Sequence, residues 1–162
     1  MTAPDASPDA PPRPFPVSAG VLLGLGLGGF FDGIVLHQIL QWHNMVSDRV
    51  PPVDVPGLRL NVLADGLFHF ATYLFTVAGV LVLWRHARRA HAPWPARLLA
   101  GGALLGFGLF NLVEGVVNHH VLRLHHVNET VPRAQWVFWD AGFLLWGGAM
   151  MAVGLALLRR RV

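Results

Sequence analysis

The sequence predicts an all-α polytopic membrane protein, a bundle of four transmembrane helices. The 162 residues are 54% hydrophobic and only 13% charged, whereas soluble domains carry about 25% charged residues. Four long apolar stretches recur along the chain, each near the ~20 residues that a membrane-spanning helix needs. There is no cysteine, which removes disulfides, thiolate metal sites and iron-sulfur clusters from consideration.

Residues 1–16 are predicted to form a disordered, proline-rich N-terminal tail. This segment, MTAPDASPDAPPRPFP, holds six of the 12 prolines and shows no apolar periodicity. It is not expected to be a signal peptide, because it lacks a basic start and a cleavage motif.

Residues 17–162 are predicted to form one four-helix transmembrane domain, with helices at about 17–40, 60–84, 96–121 and 135–158. In the first helix Gly20, Gly24, Gly28 and Asp32 recur every four residues, so a neighbouring helix can approach this face closely. A loop with three prolines, 41–59, follows that helix, and Val-Pro-Arg at 131–133 precedes the fourth. No convincing internal repeat is recognised.

Arginine counts predict the orientation in the membrane. All 12 basic residues are arginine, and they concentrate in the connection between the second and third helices and at the C-terminus. Because positive charge is retained on the cytoplasmic side, both termini are expected to be cytoplasmic. The residue usage, rich in Ala, Gly, Val and Pro, suits a high-GC bacterial genome, so the expected location is a bacterial inner membrane.

Each predicted helix contains one buried carboxylate: Asp32, Asp65, Glu114 and Asp140. A charge at the bilayer centre costs roughly 2.5 to 3.5 kcal/mol, so these groups must be paired, protonated or bound to a ligand. Helix geometry puts them roughly 8 to 12 Å inside the outer end of the bundle. His43, His125 and His126 are expected in the outer loops above this layer, and His86 and His91 are expected to be solvated beside the cytoplasmic arginines.

The main functional hypothesis is a metal site in this outer layer. Asp65 and His69 lie four residues apart and share a helix face, so with Glu114 they are the predicted ligands. The side chains expected to complete or orient the site are His37, His119, Asp32 and Asp140. His37 lies about 140° around an α-helix from Asp32 and need not share its face. Nitrogen and oxygen ligands suit Zn, Fe, Mn or Cu(II).

Three alternatives stay open. The polar residues can form a structural network that only specifies helix packing, as expected of a non-enzymatic assembly subunit. A b-type haem can be held by His69 together with His119 or His120. A proton or solute path, or a lipid-processing hydrolase, completes the set. Nucleic acid is not an expected partner, since the basic residues suit membrane topology, and the glycine faces allow a homodimer.

Four segments, FFDGIVLHQILQWHNM, NVLADGLFHFATYLFTVAG, NLVEGVVNHHVLRLHHV and WDAGFLLWGGAMM, resemble a family of four-span bacterial membrane proteins classed as a domain of unknown function. The resemblance implies the membrane topology but no assigned activity. Its association with genes for cytochrome oxidase assembly factors implies copper or haem handling, with such a factor as partner. The chain is also faintly similar to seven-span ceramidase-like zinc hydrolases, but it has four spans and lacks their buried serine.

Overall fold

The computed structural model describes residues 14–88 and 94–159, which form four long helices and no strand within those ranges. Helix α1 spans Val17–Phe30 and continues as a π-helical segment, Phe31–Ile39; helix α2 spans Val55–Ala87. Helix α3 spans Ala96–Glu114 and continues as a second π-helical segment, Gly115–Val121; a single 3₁₀ turn, Arg133–Gln135, precedes helix α4, Trp136–Arg159. All four are long and apolar enough to cross a membrane, which confirms the predicted fold class.

Helix α2 begins five residues before its expected start. Asp54 stands at its N-cap, where the carboxylate accepts a hydrogen bond from the Gly57 N–H at 2.7 Å, and a proline occupies the first turn. Both are start signals of a helix. The last five residues of the segment 41–59, which was predicted to be a loop, therefore form the beginning of helix α2.

Helices α1 and α3 form the centre of the bundle and pack directly backbone to backbone. A Cβ atom added to Gly24 would collide with the Ala103 carbonyl oxygen, and one added to Gly106 would collide with the Val21 carbonyl oxygen. Helix α2 packs against α1, and α4 packs against α3. The predicted close approach of a neighbouring helix to the glycine face of the first helix is thus observed, and that neighbour is α3.

The second pair of helices repeats the first, and residues in α1 correspond to residues 82 positions later in α3. After each π-helical segment the backbone turns through a positive φ, 52° at Gln41 and 51° at the corresponding Arg123. The hydrogen bond from Leu40 N–H to Val35 O at 2.8 Å recurs from Leu122 to Val117 at 2.7 Å. This corrects the sequence analysis, which recognised no internal repeat.

Aromatic side chains close the end of the bundle away from the turns at Gln41 and Arg123. His86, expected to be solvated, is only 1% exposed, and its ring packs edge-on against Phe15 and Trp94 with centroids 5.4 and 5.7 Å away. Phe15 lies in the segment predicted to be a disordered tail but is 6% exposed. Residues 1–13 of that tail and His91 fall outside the described residues.

Candidate metal centre

The π-helical segments bring a carboxylate and a histidine together in each half of the chain. In a π-helix the backbone hydrogen bonds join residues five apart, so side chains at that spacing lie above one another. His37 Nε2 is 3.2 Å from Asp32 Oδ2, and His119 Nε2 is 3.2 Å from Glu114 Oε1. In an α-helix Asp32 and His37 need not share a face, but the π-helical segment places them side by side.

Two further histidines enter from the loops. The positive-φ turns at Gln41 and Arg123 redirect the chain, and His43 and His125 then point back into the bundle. Their rings are parallel, with centroids 4.4 Å apart, and the residues are 4% and 0% exposed. Both were expected to lie above the polar layer, but the loops fold inward and make them part of it.

Backbone carbonyls fix the orientation of these loop histidines. His43 Nδ1–H donates to the Val127 carbonyl at 2.9 Å, and His125 Nδ1–H donates to the Met45 carbonyl at 2.9 Å. A carbonyl only accepts, so each Nδ1 must carry the proton. The Nε2 atoms of both rings therefore face the interior, where that of His43 has no hydrogen-bond partner in the described part of the chain and that of His125 lies 2.8 Å from Glu114 Oε1. Each loop thus holds the histidine of the other.

Asp65 holds the first helical histidine from behind. His37 Nδ1 donates to Asp65 Oδ1 at 3.0 Å, and the same carboxylate accepts the Met45 N–H at 2.7 Å and the Asn44 side-chain amide at 2.9 Å. Asp65 is 3% exposed. The carboxylate therefore joins helix α2 to the first loop and turns His37 Nε2 inward.

Asp140 takes the corresponding place in the second half, although it makes no hydrogen bond to His119. Its carboxylate accepts the Val127 N–H at 3.0 Å and a hydrogen bond from His126 Nδ1 at 2.6 Å, and it lies 3.4 Å from His119 Nδ1. Val127 and His126 occupy the positions that correspond to Met45 and Asn44 in the first half. The repeat thus extends to the carboxylates that lie behind His37 and His119.

Several inward-facing polar atoms have no hydrogen-bond partner among the described residues. The atoms at the centre are Nε2 of His37, His43 and His119, Oδ2 of Asp32, and Oε2 of Glu114; Nδ1 of His119, which faces Asp140, also has none. Leaving a buried polar group unsatisfied costs about 1–3 kcal/mol, and more when it is charged. Nitrogen lone pairs and carboxylate oxygens that face each other in this way could hold a cation.

The two loop histidines differ in protonation. Burial, with the charges of His125 and His37, holds the pKa of His43 well below its ordinary value, so its ring is neutral. Burial also disfavours charge on His125, but the hydrogen bond and negative charge of Glu114, 2.8 Å away, raise the pKa of His125 above its ordinary value. His125 Nε2 and the Glu114 carboxylate therefore share a positive charge, either a proton or a metal ion.

The donor atoms fall into two close-set groups. One comprises His37, His43 and His125, and the other comprises Glu114, His119 and His125; within each group the ligand atoms lie within 4.8 Å of one another. All five residues are buried. Imidazole and carboxylate donors without sulfur suit Zn, Fe, Mn or Cu(II).

His69, one of the three predicted main ligands, belongs to neither group. Its Nδ1 donates to the backbone carbonyl of Asp65 at 2.8 Å, and its ring stacks near Phe30 and lies against Gly33. Asp65 itself supports His37 from behind. Of the predicted residues, the structure therefore brings Asp32, His37, Glu114 and His119 to the centre, with Asp65 and Asp140 around them.

The sequence analysis missed His43 and His125, although the sequence contains a signal for both. Asp32 is followed by histidines five and eleven positions later, and Glu114 is followed by histidines at the same two spacings. The five-residue spacing does not match an α-helical face, and the eleven-residue spacing runs past the expected end of each helix, so helical periodicity gave no reason to group these residues. A search for repeated ligand spacings would have found them.

A cavity of about 450 Å³ lies beside the second half of the cluster. His119 and Asp140 form its inner wall, and Arg133, with a 79% exposed side chain, lies on its outer side. Its remaining lining is polar apart from Trp136 and Val137: Asp48, His120, Arg123 and His126. The cavity therefore connects the loop end of the bundle with His119.

A family model described as "Predicted membrane protein (DUF2243)" matches residues 19–161. No curated protein and no solved structure matches the chain. The matched range includes the four helices and both loops of the cluster.

Proposed function

This chain belongs to that family of predicted membrane proteins, and we propose that it is a metalloprotein that holds a transition-metal ion between its helices. The observation that carries the proposal is the convergence of Glu114, His119 and His125 within 4.8 Å, all of them at most 5% exposed. Two imidazoles and one carboxylate form a ligand set for Fe, Zn, Mn or Cu(II).

The competing interpretation is a polar network that only specifies helix packing. Such a network pairs its own donors and acceptors, as Asp65 and Asp140 do with their loops. The inward Nε2 atoms of His37, His43 and His119 have no such partners among the described residues. This contrast between two carboxylates that are hydrogen-bonded to their loops and central Nε2 atoms that have no hydrogen bond to any described residue supports a bound cation.

The burial of the ligands favours a resident ion over one in transit to an oxidase assembly factor. The two loops that carry His43 and His125 close over the cluster, so ion exchange requires them to open. The cavity beside His119 would admit a small substrate to the edge of the site. We therefore propose a redox or hydrolytic role at a fixed ion. Haem is disfavoured, because ring centroids 4.3 to 4.9 Å apart leave no room for a porphyrin between the clustered histidines.

The test is metal content per chain, measured by plasma mass spectrometry on the full-length protein in detergent after loading with Mn, Fe, Cu or Zn. His125→Gln should lower the bound metal per chain by at least half. His69→Gln is the matched control, since its ring bonds a backbone carbonyl outside the cluster, and it should keep the metal. Equal metal in both variants, or none in the wild type after loading, would overturn the proposal. Circular dichroism confirms that each variant is folded.

A further inference from the structure

We propose that the centre holds two metal ions, one for each structural repeat. This inference rests on the proposed function and adds a second site to it. Each repeat supplies one carboxylate and two histidines at identical spacings: Asp32, His37 and His43 from the first, and Glu114, His119 and His125 from the second.

The first repeat places its carboxylate beside its two histidines, as the second does, although the close-set group on this side comprises His37, His43 and His125 and does not include Asp32. Nε2 of His37 is 3.2 Å from Asp32 Oδ2, and Nε2 of His43 is 3.9 Å from Asp32 Oδ1. The two rings have centroids 4.3 Å apart, compared with 4.9 Å for His119 and His125. Two histidines and one carboxylate hold a divalent ion and leave coordination positions open.

One ion cannot use all of these donors. Donors bonded at about 2.0–2.2 Å to a single ion lie within about 4.4 Å of each other, and the close-set donors form two groups of three. His125 occurs in both groups, but its Nδ1–H is committed to the Met45 carbonyl, so its one lone pair serves one ion. An ion held by Glu114, His119 and His125 leaves Nε2 of His37 and His43 beside the Asp32 carboxylate but without a hydrogen bond within the described residues.

The buried charge also matches two divalent ions. Asp32, Asp65, Glu114 and Asp140 are 1–5% exposed, and their ion pairs are with histidines. With neutral imidazoles, two divalent cations balance the four negative charges, whereas one leaves half of that charge uncompensated in an apolar interior. Four imidazolium rings as close together as these would repel each other.

The stoichiometry of the full-length protein tests this inference. After loading with Mn(II) or Zn(II) and gel filtration, plasma mass spectrometry should find about two ions per wild-type chain. His43→Gln and His119→Gln, one in each repeat, should each lower the value to about one. The exposed neighbour His120 provides the control, since His120→Gln should keep two ions.

The outcomes separate the two proposals. One ion in the wild type overturns the two-ion centre and leaves the proposed function standing, whereas no ion overturns both. Electron paramagnetic resonance of the Mn(II)-loaded wild type distinguishes a coupled pair of ions from a single ion, and it does not depend on whether any variant folds. A spin-coupled pair is expected, and the signal of an isolated ion would contradict the inference.

Discussion

At the scale of single residues, the proposed metal affinity of His37 and His119 should depend on Asp65 and Asp140. Each carboxylate faces the Nδ1 atom of a helical histidine and accepts two further hydrogen bonds from a loop. A carboxylate behind a metal-binding histidine fixes its tautomer and raises its basicity. The affinity of the centre therefore depends on groups that contact no ion.

We expect Asp65→Asn and Asp140→Asn each to lower metal affinity about 10–100-fold, because the neutral amide no longer supports the histidine. Competition against a chelator of known affinity measures the change. Asp54→Asn serves as the control, since Asp54 caps helix α2 away from the cluster. An unchanged affinity in both test variants would show that these carboxylates are purely structural.

The sequence predicted the carboxylates of the centre but only half of its histidines. Asp32, Asp65, Glu114 and Asp140 were recognisable because a charge within an apolar stretch is costly and demands a partner. His43 and His125 lie in polar loops, where a histidine carries no such cost, so composition gave no warning. Their burial depends on long-range contacts, the Val127 and Met45 carbonyls, which local patterns do not encode.

At the scale of helices, the π-helical segments explain why α-helical periodicity misplaced the ligands. Spacings of three and four residues assume an α-helix, and the pairs Asp32–His37 and Glu114–His119 are five apart. The π-helix closes that gap in both halves. The sequence did predict the helices themselves, because length and hydrophobicity suffice for a membrane span.

The glycine contact between α1 and α3 should be a main determinant of stability. A methyl group at Gly24 meets the Ala103 carbonyl, so Gly24→Ala must push the two central helices apart, and we expect a loss of about 1–3 kcal/mol in the free energy of unfolding. Chemical unfolding in detergent measures it. Gly66→Ala is the matched control, since nothing lies within 4 Å of an added Cβ there.

Gly66→Ala should leave stability unchanged or raise it slightly, because alanine lowers the entropic cost of helix formation. Equal effects of the two substitutions would mean that the close contact of α1 with α3 is not what holds the bundle together. Metal content should fall with stability in Gly24→Ala, since each of these two helices carries half of the ligands.

At the scale of the whole molecule, the repeat accounts for the position of the centre. The two halves meet along α1 and α3, and each loop supplies a carbonyl to the histidine of the other loop. A site built on such a junction requires both halves to be docked. The candidate ligands all lie at the end of the bundle where the loops with His43 and His125 meet. The arginine-rich connection between α2 and α3 is at the other end.

Because the candidate ligands lie at one end of the bundle, the orientation in the membrane decides which side the cluster faces. If the arginine-rich connection is cytoplasmic, the metal centre and its cavity face the extracytoplasmic side. The chain has no cysteine, so single cysteines can report the orientation directly. In intact cells a membrane-impermeant maleimide should label Val53→Cys, which lies at an 88% exposed position in the first loop. Ala87→Cys, exposed at the far end of α2, should react only after permeabilisation. The reverse pattern would place the centre toward the cytoplasm and its metal supply with it.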